Sequence, residues 1–248
     1  MKIHHLKLSR AQLDSIPADE RRLLILIAHA ANELSVLTKL FHFAAGTVTD
    51  DALPHFEHAH NTQALVLGRI LTGKIYERWV LMQSALFGTR LSQLYEPLFE
   101  PDPRMALDML KRYFGRDNII GRIRNKFAFH YSPDQVDPGY TAVIDDDPLS
   151  MYLSKHNTNT LYVFAETVTG RAMLDLINPN DHEAAFGQLI DESSRAVSQI
   201  ADVTGQIILL CFDRHLGGNI YSLGAEVIDV EGAPESETIS IPYFIEVK

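Results

Sequence analysis

The sequence predicts a mainly α fold, a bundle of long antiparallel helices with a small β-hairpin insertion and a C-terminal strand. Three observations point there. Apolar residues recur at helical spacing through long stretches. Strand-like alternation is confined to short segments between and after them. Of the 248 residues, 46% are hydrophobic, enough for a substantial core. No repeat, low-complexity segment or linker divides the chain, so residues 1–248 read as one helical domain. Its core is placed at about 16–131 and 180–217, and its strand appendages at about 140–168 and 225–248.

Lys2–Leu8 reads as a short edge strand. Ser15-Ile16-Pro17 opens the first long helix, with Pro17 in its first turn and Asp19 and Glu20 at the positive end of its dipole. Leu24, Ile27, Ala31, Leu34, Thr38 and Phe41 alternate at three and four toward Gly46, and an adjacent stripe through Leu23, Leu26, Ala30 and Leu37 predicts broad burial. A polar turn through Asp50, Asp51 and Pro54 precedes a second long helix to about Phe87, with Leu67, Leu71, Ile75, Trp79, Met82 and Leu86 on one face. Two long helices in succession predict an antiparallel hairpin.

Pro97, Pro101 and Pro103 punctuate a loop before a short helix over Arg104–Phe114, which leads through Gly115 to the motif helix treated below. Tyr140–Ile144 and Thr160–Val168 read as strands, the second rich in β-branched and aromatic residues. Asn180-x-x-Glu183 reads as a capping box for the last long helix, in which Phe186, Leu189, Ser193, Ala196, Ile200, Val203 and Ile207 keep helical spacing toward Gly217-Gly218. Ala225–Val230 and Thr238–Val247 then have strand chemistry, with Pro242 favouring an edge.

A net charge of −10 argues against a protein that coats nucleic acid nonspecifically. The average conceals one basic stretch: Lys111, Arg112, Arg116, Arg122, Arg124 and Lys126 stand against the single acid Asp117, whereas acids gather at Asp145–Asp147 and in the tail. The single cysteine, Cys211, precludes an internal disulfide and fits a reducing cytoplasm. Met1–His5 has no hydrophobic signal core and no uninterrupted apolar run reaches bilayer length, so neither secretion nor membrane insertion is expected.

The basic stretch ends in Ile119–Tyr131, read as one helix of three to four turns capped by Asp117 or Asn118 and stopped at Ser132-Pro133. Ile120, Ile123 and Phe127 then face inward. At about 100° per residue, Arg124 and His130 fall about 60° to either side of Phe127 and can line one groove.

An Arg, a small polar residue, a few apolar residues and a His, here Arg124-Asn125-Lys126-Phe127-Ala128-Phe129-His130, resemble the signature of HEPN domains. These are small helical bundles, many of them metal-independent ribonucleases in toxin or phage-defence systems. The match covers the motif alone. Arg22 and His29 have similar spacing but lack the polar residue after the arginine. The resemblance implies RNA cleavage by 2′-hydroxyl attack, leaving a cyclic phosphate and requiring no cofactor. Imidazoles titrate near neutrality, so His130 suits proton transfer, Arg124 the phosphorane charge, and Asn125 orientation. Lys111, Arg112, Arg116, Arg122 and Lys126 would attract the RNA backbone. HEPN domains typically pair, so the resemblance also implies a homodimer with two motifs converging, and allows a regulatory protein partner. A HEPN-like module that binds nucleotide, RNA or protein without cleaving is the alternative.

Glu57-x-x-His60 matches half of a di-iron motif, with His55 and His58 nearby, but no second Glu-x-x-His occurs, so a solvated helix start is expected instead of a metal site. Walker, dinucleotide-binding, Cys-x-x-Cys and Gly-x-Ser-x-Gly patterns are absent from the sequence.

Overall fold

The computed structural model describes residues 1–46, 52–130, 132–218 and 223–246. With 68% of the chain helical and a small two-stranded antiparallel sheet, the fold is mainly α. The helices are α1 (Arg10–Ser15), α2 (Ala18–Ala44), α3 (Pro54–Ala85), α4 (Arg90–Tyr95), α5 (Pro101–Phe114), α6 (Ile119–Ile123), α7 (Val136–Thr141), α8 (Val163–Asp175) and α9 (His182–Leu216). The strands are β1 (Lys2–His5) and β2 (Glu226–Asp229).

The chain forms two compact units, to both of which α2, α3 and α9 contribute. The first comprises Met1–Leu34, Glu77–Arg116 and Arg195–Glu235. Ile27, Met82, Leu86, Leu110, Ile200 and Val203 are among its buried side chains. Trp79 stacks on Phe114 with ring centres 4.9 Å apart. Its sheet sets Lys2 opposite Asp229 and His5 opposite Glu226.

Glu20, only 3% exposed, accepts hydrogen bonds from the Tyr95 hydroxyl at 2.5 Å and from His215 Nε2 at 2.7 Å. Burial works to raise the Glu20 pKa, but those two hydrogen bonds outweigh it and hold the carboxyl below its ordinary value. Burial foremost, with the bond to Glu20, pushes the Tyr95 phenol far up. Arg78 is 2% exposed and donates through Nη2 to Thr204 Oγ1 at 2.7 Å, while its Nε and Nη1 have no hydrogen-bond partner among the described residues. Burial lowers its pKa to about 10.

The second unit comprises Ser35–Tyr76, Asp117–Ser194 and Ser236–Lys248. Ile119, Ile123, Met173 and Leu189 form one core, joined by Leu65, Phe127 and Phe186. Ala59, Leu161 and Val163 form another, joined by Tyr152, Tyr243 and Phe244.

Several expectations are corrected. Tyr140 and Thr141 end α7, and Val163–Val168 opens α8, so the hairpin expected over 140–168 reduces to one antiparallel bridge, Tyr152 to Leu161. Val163, Gly170 and Met173 are buried at helical spacing, and this tertiary context overrides the strand propensity of Thr160–Val168. Ser236–Glu246 holds no strand among its described residues; the Asn159 side chain takes up the backbone of Ile245, donating to its carbonyl at 2.6 Å and accepting from its N–H at 2.9 Å. The α9 cap is Asp181 in place of Asn180, its carboxylate accepting from the Ala184 N–H at 2.9 Å.

By length and composition alone α2 and α9 are each apolar enough to cross a bilayer, a test that the core helix of a soluble protein also passes. Ile25, Leu26 and Val36 are exposed on α2, so burial follows its Leu23, Ile27, Leu34 and Phe41 side. The expected turn at Asp50 and Asp51 lies outside the described residues.

Candidate functional site

Asn118 caps α6, its side-chain oxygen accepting the Gly121 N–H at 2.8 Å. Past Ile123 the helix widens into a π turn, Arg124–Ala128, and the backbone leaves helical geometry at Phe129. The single long helix expected here is thereby corrected, and Tyr131 lies outside the described residues. Widening occurs where Phe127 enters the Ile119/Ile123 core while Ala128 and Phe129 press on α3 at Gly73. Such π turns recur at functional sites.

The motif residues lie in and just beyond this turn. The Arg124 guanidinium lies over the Tyr76 ring, 5.4 Å from its centre, and donates through Nη1 to Asn125 Oδ1 at 3.0 Å. His130, beyond the helix and exposed, borders a cavity of about 330 Å³ that Arg124 does not line. The π turn replaces the α geometry from which Arg124 and His130 were expected about 60° to either side of Phe127.

This cavity lies wholly within the second unit. Lys126 and His130 face it from the motif, Arg69 from α3, and Glu166 from α8. Arg69 Nη2 lies 2.9 Å from Oε2 and 3.2 Å from Oε1 of Glu166. Its Nη1, closed off from solvent, has no hydrogen-bond partner among the described residues. Phe127, Pro133 and Val136 supply an apolar wall.

The remaining basic candidates fall elsewhere. Lys111, Arg112 and Arg116 belong to the first unit, where Lys111 pairs with Glu96 at 2.7 Å and covers the Phe87 ring. Arg112 donates to the Asp108 carbonyl at 3.4 Å. Arg122, in the second unit, donates to the Leu176 carbonyl at 2.6 Å and lies 3.7 Å from Asp117. Of the five, Lys126 alone lines the cavity bordered by His130.

A neighbouring cavity of about 320 Å³ in the same unit shares Glu166 and holds a polar chain absent from the sequence reading. Arg171 donates to Asp147 through Nη2 and to His182 Nδ1 through Nη1 at 2.5 Å. A guanidinium only donates, so Nδ1 accepts and Nε2 carries the hydrogen given to Asp175 Oδ1 at 2.6 Å. Burial works to raise the Asp147 pKa, but the Arg171 bond and the Ile144 N–H outweigh it and hold the carboxyl below its ordinary value. Asp147 thus pairs with Arg171.

At the start of α3, His58 Nδ1 lies 3.0 Å from the Tyr152 hydroxyl, and the His55 ring packs on Phe244. No group of three or more His, Cys, Asp or Glu among the described residues is arranged to hold a metal ion.

Comparison with protein families, with curated proteins and with solved structures finds no match to this chain.

Proposed function

We propose that the chain is a HEPN-like, metal-independent endoribonuclease of the cytoplasm. The observation that carries this reading is His130: it closes the Arg-Asn-x4-His motif, has no hydrogen-bond or ion-pair partner among the described residues, and borders a cavity that Lys126 also lines. The 2′-oxygen of a ribose attacks the adjacent phosphorus as His130 takes its proton. The P–O5′ bond breaks, the 5′-oxygen receives a proton, and the products are a 2′,3′-cyclic phosphate and a 5′-hydroxyl, with no water consumed. One protomer offers one motif histidine, so the reading includes a homodimer whose second His130 serves as the acid. Arg124, stacked on Tyr76 and bonded to Asn125, is held in one orientation as a phosphate clamp for that shared groove.

The separation of Arg124 from the His130 cavity favours a second reading, a HEPN-like module that binds RNA, nucleotide or a partner protein without cutting. Incubation with mixed RNA in EDTA, beside His130→Ala, decides between the two. Cyclic-phosphate ends made only by the unsubstituted protein support the nuclease, while binding without new ends supports the module. Mixing His130→Ala with Arg124→Ala subunits restores part of the activity if the groove is shared.

A further inference from the structure

The polar chain of the second unit ends on a histidine whose protonation state is fixed by its neighbours. Arg171 Nη1 lies 2.5 Å from Nδ1 of His182, and His182 Nε2 lies 2.6 Å from Asp175 Oδ1. A guanidinium has hydrogens to give and no lone pair, so Nδ1 must carry the lone pair and the ring is neutral. A second proton has only Nδ1 to go to. It would set N–H against N–H and bring two positive charges into contact. The closed chain and the charged ring therefore do not coexist.

The groups around the ring are also able to hold its charged form. On α8, Asp175 keeps the Nε2 hydrogen and faces the new charge, while Arg171 keeps Asp147 from the segment before the Tyr152 bridge. Across the cavity stand Glu166, held by Arg69, and His58, bonded to the Tyr152 hydroxyl. Asp181 and Glu183 flank the ring in the chain and offset the positive end of α9. On proton uptake the continuous chain thus divides into two ion pairs, Arg171 with Asp147 and His182 with Asp175. The side chains of His182 and Asp175 are 18% and 30% exposed, so water reaches the ring to supply the proton.

We propose that His182 is a proton-operated joint between α8 and α9. Neutral, it links Arg171 and Asp175 into one chain. Charged, it releases Arg171, and the cavity wall that both residues line parts between them. His182, the first residue of α9, then holds α8 through Asp175 alone, and the connection over 176–181 loosens. The device does not depend on the ribonuclease reading.

Amide hydrogen exchange of the full chain at about pH 7.5 and about pH 5.5 tests this, since imidazoles are the side chains that ordinarily titrate between those values. An imidazole of ordinary pKa gains about tenfold in proton binding over that interval. Protection should fall by about that factor at Asn178 and Ala185, whose N–H groups donate to the Leu174 and Asp181 carbonyls on either side of the joint, once intrinsic exchange rates are corrected for. His182→Gln offers one acceptor and one donor and takes up no proton, so its protection should stay level, which separates His182 from His58. In Arg171→Met, NMR should show the His182 ring protonating at a pH higher by about one unit, the scale of one lost charged hydrogen bond. Constant protection in the unsubstituted protein, an equal fall in His182→Gln, or an unmoved or lowered titration in Arg171→Met would each overturn the joint. If Arg171→Met does not fold, the exchange comparison with His182→Gln decides alone.

Discussion

A β-carbon on Gly73 would lie 2.6 Å from Cε2 of Phe129, and 2.7 Å from Cβ of Ala128. α3 therefore meets the motif turn where a hydrogen fits and a methyl group does not. Alanine in place of a mid-helix glycine ordinarily stabilises by about 1 kcal/mol. Overpacking of this kind costs about 1–3 kcal/mol. Gly73→Ala should thus lower the thermal midpoint as Phe129 and Ala128 are displaced. Gly187→Ala and Gly205→Ala on α9 are the controls, because nothing stands within 4 Å of either added Cβ. Both should raise the midpoint. If Gly73→Ala behaves as they do, the motif turn is not seated on Gly73 as described.

The acid response of the first unit follows from Glu20. Its carboxyl pKa lies below the ordinary 4.5 in the folded chain. The stabilisation it provides is therefore full above pH 4.5 and is lost as pH falls through the lower, folded value. Glu20→Gln should be less stable at pH 7 by about 1–3 kcal/mol, through loss of the charged partner of Tyr95 and His215. The gap to the unsubstituted protein should close as pH falls below 4.5. Urea unfolding at a series of pH values reads this directly, and a gap independent of pH would assign the loss to packing instead.

How far the sequence disclosed this arrangement depended on whether the cause was local. The long helices were legible because their buried residues, such as Leu71, Ile75, Trp79 and Met82 on α3, recur at helical spacing. The Asn118 cap was legible for the same reason, since it reaches only to Gly121. The π turn was not, because it depends on a glycine of α3 far from the motif. Nor was the charge balance of the cavity: Arg69 and Glu166 are 97 residues apart, and no spacing rule joins them. α8 was misread because Thr160–Val168 is rich in strand formers, and only burial of Val163, Gly170 and Met173 reveals the helix. In the tail, alternation was present, but the Asn159 side chain took the place of a partner strand.

Asp147 ties the segment before the Tyr152 bridge to α8 through Arg171. Its carboxylate also accepts the Ile144 N–H at 2.9 Å, so both oxygens are engaged. Asp147→Asn keeps the shape but removes the charge facing Arg171, whose side chain is 22% exposed. A loss of about 1–3 kcal/mol is expected, the scale for a largely buried charged hydrogen bond. The Asp147 carboxyl pKa lies below its ordinary value, so its contribution is complete above about pH 4 and fades below it. Asp147→Asn should therefore approach the unsubstituted protein in acid. Amide hydrogen exchange should also quicken at Ile144 in the variant, and unchanged protection there would argue against this tie.

Arg78 yields the opposite sign. Its guanidinium is buried with one hydrogen bond among the described residues, to Thr204, and burial lowers its pKa from 12.5 to about 10. The charged form is thus penalised in the folded state at neutral pH by about 3 kcal/mol, and the penalty is relieved only as pH rises from about 10 toward 12.5. Methionine matches the unbranched stem and carries no charge. Arg78→Met should raise stability by about 1–4 kcal/mol, as when buried charges are replaced by apolar side chains of similar volume. The thermal midpoint should rise by about 2–4 °C for each kcal/mol gained. Thr204→Val added to it removes the hydroxyl left without its donor, so the double variant should be at least as stable as the single. A lower midpoint in both would mean that the Arg78 charge is compensated in solution and that the guanidinium holds the core of the first unit together.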